Sequence, residues 1–199
     1  MSTIDGRTTD TRARLTDAAI ELFVHVGPGS ASWGDVCDAA GTTKGVVNHH
    51  FPGGKEELIV AAVERNAGIV DAFIAHFLET SDGTGDAVVR FFDMYASLLD
   101  EDPDRGCPIA ASVVDASATS DAVRAATAAA FTRWMDTLAA LIDDADIAAT
   151  VVAAMEGSIL LARATRDPDL VRRTARVLAA KLLPEAHPRS PARRSPRRR

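Results

Sequence analysis

The stretch from Ser32 to Phe51 constrains this chain more than any other, because it reads as two short helices joined at a glycine. Ser32 is a preferred N-cap residue, and Asp35 three positions later makes a near capping box. Trp33, Val36, Cys37 and Ala40 follow at i, i+3, i+4 and i+7, which is one apolar face of a helix. Gly41 supplies the left-handed backbone that a tight helix–helix turn requires. Thr42 or Thr43 can cap the next segment, whose apolar anchors Val47 and Phe51 are four apart. Pro52 disfavours helical geometry at Phe51, so the second helix is short. A short helix held by a turn against another is the shape that enters a DNA major groove. An ordinary helical hairpin has the same periodicity, so spacing alone leaves both readings open.

The rest of the chain is patterned as helices. Leu15, Ala18, Ala19, Leu22, Phe23 and Val26 give a first amphipathic helix over about Thr11 to Val26, ended by Gly27-Pro28-Gly29. Lys55 to about Thr80 reads as one long helix with Ile59, Val63, Val70, Phe73 and Phe77 on its buried stripe. Gly68 in its middle suggests close packing or a bend. Ser81-Asp82-Gly83-Thr84-Gly85 is a linker, and five further helical patterns follow. Pro108 is placed as a first helical residue, Asp121 and Asp146 as helix starts, and Asp167-Pro168 as a cap with Pro behind it. No alternating strand pattern occurs. The fold class is all-α, with about nine helices: an N-terminal three-helix helix-turn-helix domain joined by a long helix to a C-terminal helical domain. The organisation is a flexible arm at 1–10, the helix-turn-helix domain at 11–54, the helical domain at 55–184 and a disordered Arg-rich tail at 185–199.

Charge limits the partners. The chain carries 22 basic and 28 acidic residues, a net of −6. Six arginines lie in the last thirteen residues, so the remainder holds 16 basic against 28 acidic residues. A body this acidic is no general polyanion binder, and DNA binding must come from a local face. The tail is a solubilising overhang or an electrostatic arm for DNA. Two cysteines do not make a disulfide framework, and the polar N-terminus lacks the apolar core of a secretory signal. Ile147 to Ala162 is apolar but interrupted by Glu156, Gly157 and Ser158, too short and too polar for a membrane span. A cytoplasmic protein is expected, with no membrane partner.

The candidate chemistry is recognition. Thr42, Thr43, Lys44 and Val46 occupy the exposed start of the second motif helix, where hydroxyls, an ammonium and a methyl-bearing side chain reach base edges. Thr11, Arg12, His49 and Lys55 suit phosphates, which position a protein without specifying sequence. His49 and His50 are adjacent, so their side chains diverge by about 100° and no third ligand completes a metal set. No nucleophile–base spacing, phosphate loop or matched carboxylate pair points to catalysis. No cofactor is expected. Phe73, Phe77, Phe91, Tyr95, Trp134, Met135 and Met155 fall at helical spacing that suits plain core or a cavity wall. Cys107 stands beside Pro108 at a helix start, where thiols can react, although packing is the commoner role.

Thr11-Arg12 ahead of Ala18-Ala19-Ile20-Glu21-Leu22-Phe23, then Ala39-Ala40-Gly41, Lys44-Gly45, His49-His50-Phe51-Pro52 and Lys55-Glu56-Glu57-Leu58 resemble the N-terminal domain of TetR-type transcriptional regulators. The two glycines in Phe51-Pro52-Gly53-Gly54-Lys55, with Gly106-Cys107-Pro108, are similar to the LmrA/YxaF-like branch. The resemblance implies a DNA-binding set of Thr11, Arg12, Ser32, Thr42, Thr43, Lys44, Gly45, Val46, Asn48, His49 and Lys55. It implies a pocket for an apolar or aromatic small molecule in the C-terminal half, with Phe73, Phe77, Phe91, Tyr95, Cys107, Trp134, Met135 and Met155 as lining. It also implies pairing of the last two helices with a second subunit, Glu156 or Ser158 facing the partner. The expected function is a homodimeric, ligand-responsive repressor of a palindromic double-stranded operator. One departure stands out: Asn48 occupies a place where family members usually carry Tyr. It leaves room for a rival, a helical small-molecule-binding or enzymatic protein that has lost specific DNA binding.

Overall fold

The computed structural model describes residues 4–183, with side chains from Thr11 onward. The Arg-rich tail lies outside the described residues. Within them the chain forms α1 (Ile4–Ser30), α2 (Trp33–Ala40), α3 (Lys44–His50), α4 (Gly54–Thr80), α5 (Thr84–Glu101), α6 (Pro108–Ala116), α7 (Asp121–Ile142), α8 (Ala145–Thr165) and α9 (Asp169–Leu182). Neighbours in space are α1 with α4 and α6, α5 with α9, and α7 with α4 and α8.

Local chemistry explains most boundaries. The capping box at the start of α2 is complete: Ser32 Oγ accepts from Asp35 N at 3.2 Å, and Asp35 Oδ2 accepts from Ser32 N at 2.7 Å. Gly41 closes α2 at φ 60°, ψ 45°, with Thr42 N bonded to Cys37 O at 2.9 Å. Seven residues of helix are too few to be stable alone. Helix α3 is therefore held by Val47 and Phe51, both fully buried; burying each side chain contributes roughly 1.5–3 kcal/mol.

Several sequence expectations are corrected. Helix α1 begins at Ile4, inside the stretch read as an arm. Its backbone breaks at Gly27 (φ 72°, ψ 161°), and a final turn runs to Ser30. Val26 is 52% exposed, while Ile20 and Val24 are buried, because α1 is covered by α6 as well as by the motif. Phe73 is 40% exposed rather than core. A Cβ at Gly68 would meet nothing within 4 Å, so close packing does not explain that glycine. The caps of α7 and α8 are Ser120 and Asp144, one and two residues before the acids expected there. Ser158 is buried inside the subunit, donating to Met155 O at 2.9 Å. Helix α8 is long and apolar enough to cross a membrane by length and composition, contrary to the sequence reading; it packs between α7 and α9.

Two apolar cores result. One joins α1, α2 and α3 to the first half of α4 and continues into Ile109, Ala116, Val123, Ala130 and Trp134 of α6 and α7. The other lies among α5, α8 and α9, with Leu138 of α7. The helix-turn-helix head thus shares a continuous core with the helical domain, and no apolar gap separates them at the start of α4.

Candidate nucleic-acid interface and ligand cavity

The head presents the start of α3. Thr43 occupies the N-cap position with extended backbone (φ −117°, ψ 158°), yet its hydroxyl makes no capping bond. Thr43, Lys44, Gly45, Asn48 and His49 are exposed, and Thr42 and Val46 are half-buried. Lys44 has no ion-pair partner among the described residues, so its ammonium projects outward from the helix. This face offers hydroxyl, ammonium and amide groups within two turns, which is what base edges and phosphates require. Ser32 is exposed beside it, its oxygen engaged in the α2 cap.

Two expected phosphate ligands have protein partners. Arg12 donates to the backbone carbonyl of His50, pairs with Glu57 at 3.0 Å and lies 4.2 Å from the centre of the Phe51 ring. It ties α1 to the end of α3 and the start of α4. Lys55 Nζ donates to Gly29 O at 3.2 Å. Thr11 is half-buried one residue ahead of Arg12. The ring of His50 is half-buried, and desolvation, then the charges of His49 and Arg12, hold its pKa below the usual value, so it packs as a neutral ring. The His49 and His50 rings stand edge to face at 5.2 Å, as neighbouring side chains on a helix must.

The helical domain encloses a cavity of about 180 Å³. Seven of the eight residues expected there line it: Phe73 and Phe77 of α4, Phe91 and Tyr95 of α5, Cys107 before α6, Trp134 of α7 and Met155 of α8. Met135 does not, because it follows Trp134 on α7 and points about 100° away. The exposure of Ile69 and Phe73 marks the mouth. Trp134 is fixed by its indole N–H, which donates to Asp71 at 2.8 Å, while Arg133 pairs with the other oxygen of Asp71 at 2.9 Å.

The wall also contains residues that spacing did not single out: Val24 of α1, Asn66, Arg105 and Glu156. Glu156 is visible in the sequence as an acid inside an apolar run, where it or Ser158 is expected to face the partner; the structure puts it in the cavity wall. Desolvation pushes its carboxyl up to about 7, against the opposing hydrogen bond with Cys107. Burial, then the neighbouring Glu156, pushes the Cys107 thiol well up, and its sulfur accepts from Ala110 N at 3.4 Å. Cys107 is therefore a protonated helix cap, not a reactive thiolate. Burial raises the Tyr95 phenol likewise.

One loop joins cavity to head. Gly106 N donates to Val24 O at 2.7 Å. On either side of it Arg105 pairs with Glu21 of α1 at 3.4 Å, and Cys107 faces Glu156.

A helix-turn-helix head on a helical domain defines a class, the helix-turn-helix transcriptional regulators. Residues 15–62 match the bacterial regulatory proteins of the tetR family, and residues 84–177 match the C-terminal domain of LmrA/YxaF-like transcriptional regulators. The chain belongs to the TetR family of transcriptional regulators. It is 33% identical over 191 residues to an uncharacterized HTH-type transcriptional regulator of Mycobacterium tuberculosis, covering 87% of this chain and 96% of the relative. It is 27% identical to the HTH-type transcriptional regulator LmrA of Bacillus subtilis, covering 82% and 98%. Among solved structures, a TetR-family regulator from Agrobacterium tumefaciens superposes with TM-score 0.78 at 18% identity, covering 89% of this chain and 100% of that one. Reduced Escherichia coli NemR superposes with TM-score 0.74 at 17% identity, covering 86% and 97%. These two show the fold.

Proposed function

We propose that this regulator is a cytoplasmic homodimeric repressor that binds a palindromic operator and is released by a small molecule. The observation that carries the reading is the shared core. The exposed start of α3 belongs to a head whose apolar interior runs into the helices that wall the cavity. Filling the cavity can therefore alter the angle of the head without crossing a flexible joint.

In a dimer each subunit places α3 in a major groove, with half-sites about one helical turn apart. Thr42, Thr43, Lys44 and Val46 read base edges, and Asn48 and His49 hold the backbone. Dimerisation uses α8 and α9. Leu160, Leu161 and Val177 are exposed on these helices (65%, 52% and 61%), and Gly157 leaves open space for a partner helix. Large apolar side chains grouped on one face are the mark of an interface. An effector lowers operator affinity only if it binds the non-DNA conformation more tightly, and the two affinities are then linked reciprocally.

The test is a gel-shift with DNA from the flanks of the protein's own gene. Specific retention over bulk competitor, with affinity on the order of 10⁻⁸ M or tighter, supports the reading. No retained fragment at moderate salt would move the binding-protein rival ahead.

A further inference from the structure

The cavity wall is apolar and aromatic apart from Asn66 of α4, Arg105, whose guanidinium is paired with Glu21, and one end where Glu156 of α8 meets Cys107 and Tyr95. The two arginines that could neutralise Glu156 are engaged elsewhere. Arg105 pairs with Glu21 at 3.4 Å, and Arg163, two turns along α8, donates to His25 O at 3.4 Å. Among the described residues Glu156 forms no ion pair, and its one hydrogen-bond partner is a thiol. A half-buried carboxyl in a largely apolar cavity wall, with no cation paired to it, is costly, and a well-packed apolar residue would serve stability better there. Such a group in a cavity points to a ligand that supplies the missing charge. The rings of Phe73, Phe91 and Trp134 in the same wall add faces that attract a cation once it is desolvated. An anionic effector would meet like charge.

We infer that the effector is a monocation, an apolar aromatic body bearing one protonated nitrogen that pairs with the carboxylate of Glu156. The inference rests on reading the cavity as the effector site. Binding then has a proton balance. Glu156 sits at about 7 in the empty cavity. Near neutral pH part of the population is the neutral acid; entry of the cation forms the ion pair and sends that proton to solvent. The titratable groups around Glu156 are Tyr95 of α5, Cys107 and Arg105 of the loop before α6, and Arg163 of α8 itself. From α1 His25 faces Asp102 at 3.5 Å, and from α4 Asp71 faces Trp134. Tyr95 and Cys107 are pushed up and stay neutral.

The experiment uses the full chain and two probes of matched shape, 2-(aminomethyl)naphthalene and 2-naphthalenemethanol, in calorimetric titrations. Expected is tighter binding of the amine than of the alcohol at about pH 8, with the preference shrinking about tenfold by about pH 6 as Glu156 takes up its proton. Titration in two buffers of different ionisation heat should show proton release for the amine and none for the alcohol. Glu156→Gln should abolish the preference. Equal binding of both probes, or a preference untouched by Glu156→Gln, overturns the inference and leaves the effector cavity standing. If neither probe binds the wild-type chain, the cavity reading itself fails and the inference with it. Should Glu156→Gln fold poorly, the proton release of the wild type still decides.

Discussion

The amide of Gly106 donates to the carbonyl of Val24 at 2.7 Å, and both residues border the cavity of the helical domain: Val24 lines it, and Gly106 lies between two residues that do. A Cβ on Gly106 would come within 2.5 Å of the Arg163 guanidinium and 3.2 Å of the Val24 carbonyl itself. The flexible arginine can move aside, but the backbone of α1 cannot, so the position requires glycine. The bond ties the cavity's rim to the platform on which α2 and α3 rest.

Gly106→Ala should uncouple the two ends of the molecule. Operator affinity without effector should change only a few-fold, while the loss of affinity caused by effector should shrink. Stability should fall by about 1–3 kcal/mol from the strained contact. Operator titrations with and without effector check this; full retention of the effector response would show that the Gly106–Val24 bond carries no coupling.

Arg12 organises the head from within. Its guanidinium joins the His50 carbonyl, the Glu57 carboxylate and the Phe51 ring. Lysine cannot hold a carbonyl and a carboxylate in that fork while lying on a ring. Arg12→Lys and Arg12→Ala should both weaken operator binding by loosening α3, Ala more. The slope of log K against log salt should stay unchanged, because a lost phosphate contact would flatten it by about one unit. A flattened slope would return Arg12 to phosphate duty.

Glu156 makes the empty protein less stable as pH rises. Its folded pKa, about 7, lies above the ordinary 4.5. Between these values the folded state binds more protons than the unfolded one, so stability falls with increasing pH, by at most about 3 kcal/mol in total. Glu156→Gln should remove that slope, matching wild type near pH 4.5 and exceeding it above pH 7. Thermal melts across this range without ligand measure it; parallel curves would mean that Glu156 is better solvated than its surroundings imply.

Leu160→Arg and Val177→Arg should each yield a folded monomer. Both positions are exposed within the subunit, so neither change creates a buried charge there. Their cost appears only when a partner covers them. Sedimentation at micromolar concentration gives the mass, and operator affinity should fall in step. A wild-type chain that sediments as a monomer would refute the dimer.

The legible parts of this chain were those where local chemistry decides. The Ser32 capping box, the Gly41 turn and the Val47–Phe51 anchors use residues within a few positions of one another, and each stands where spacing put it. Tertiary cover was not legible. Val26 falls on the apolar face of α1 that spacing picks out and Ile20 does not, yet with α6 packed on α1 the first is exposed and the second buried. Trp134 and Met135 are both apolar on α7, yet one helical step separates cavity wall from flank. The internal engagement of Arg12 and Lys55 joins residues 26 to 45 positions apart, beyond any periodicity.

Asn48 is where the chain leaves the pattern of its family, whose members usually carry Tyr at this place near the end of the reading helix. The side chain is exposed on α3, one turn beyond Lys44, and among the described residues it makes no hydrogen bond or ion pair. A tyrosine there adds ring packing and a hydroxyl that donates to the DNA backbone. An asparagine amide can also donate, but over a shorter reach. Phosphate contacts are many and individually replaceable, so the expected consequence of Asn48 is weaker binding rather than altered sequence preference. Asn48→Tyr should tighten binding to operator and to unrelated duplex by the same factor, about 0.5–1.5 kcal/mol for one added hydrogen bond. Because Asn48 is exposed, the substitution should leave the melting temperature of the free protein unchanged. Parallel titrations against the operator, single-base variants and bulk DNA separate the outcomes. Weaker binding by Asn48→Tyr, or a changed order among the base variants, would place Asn48 at a base edge and make it a specificity residue.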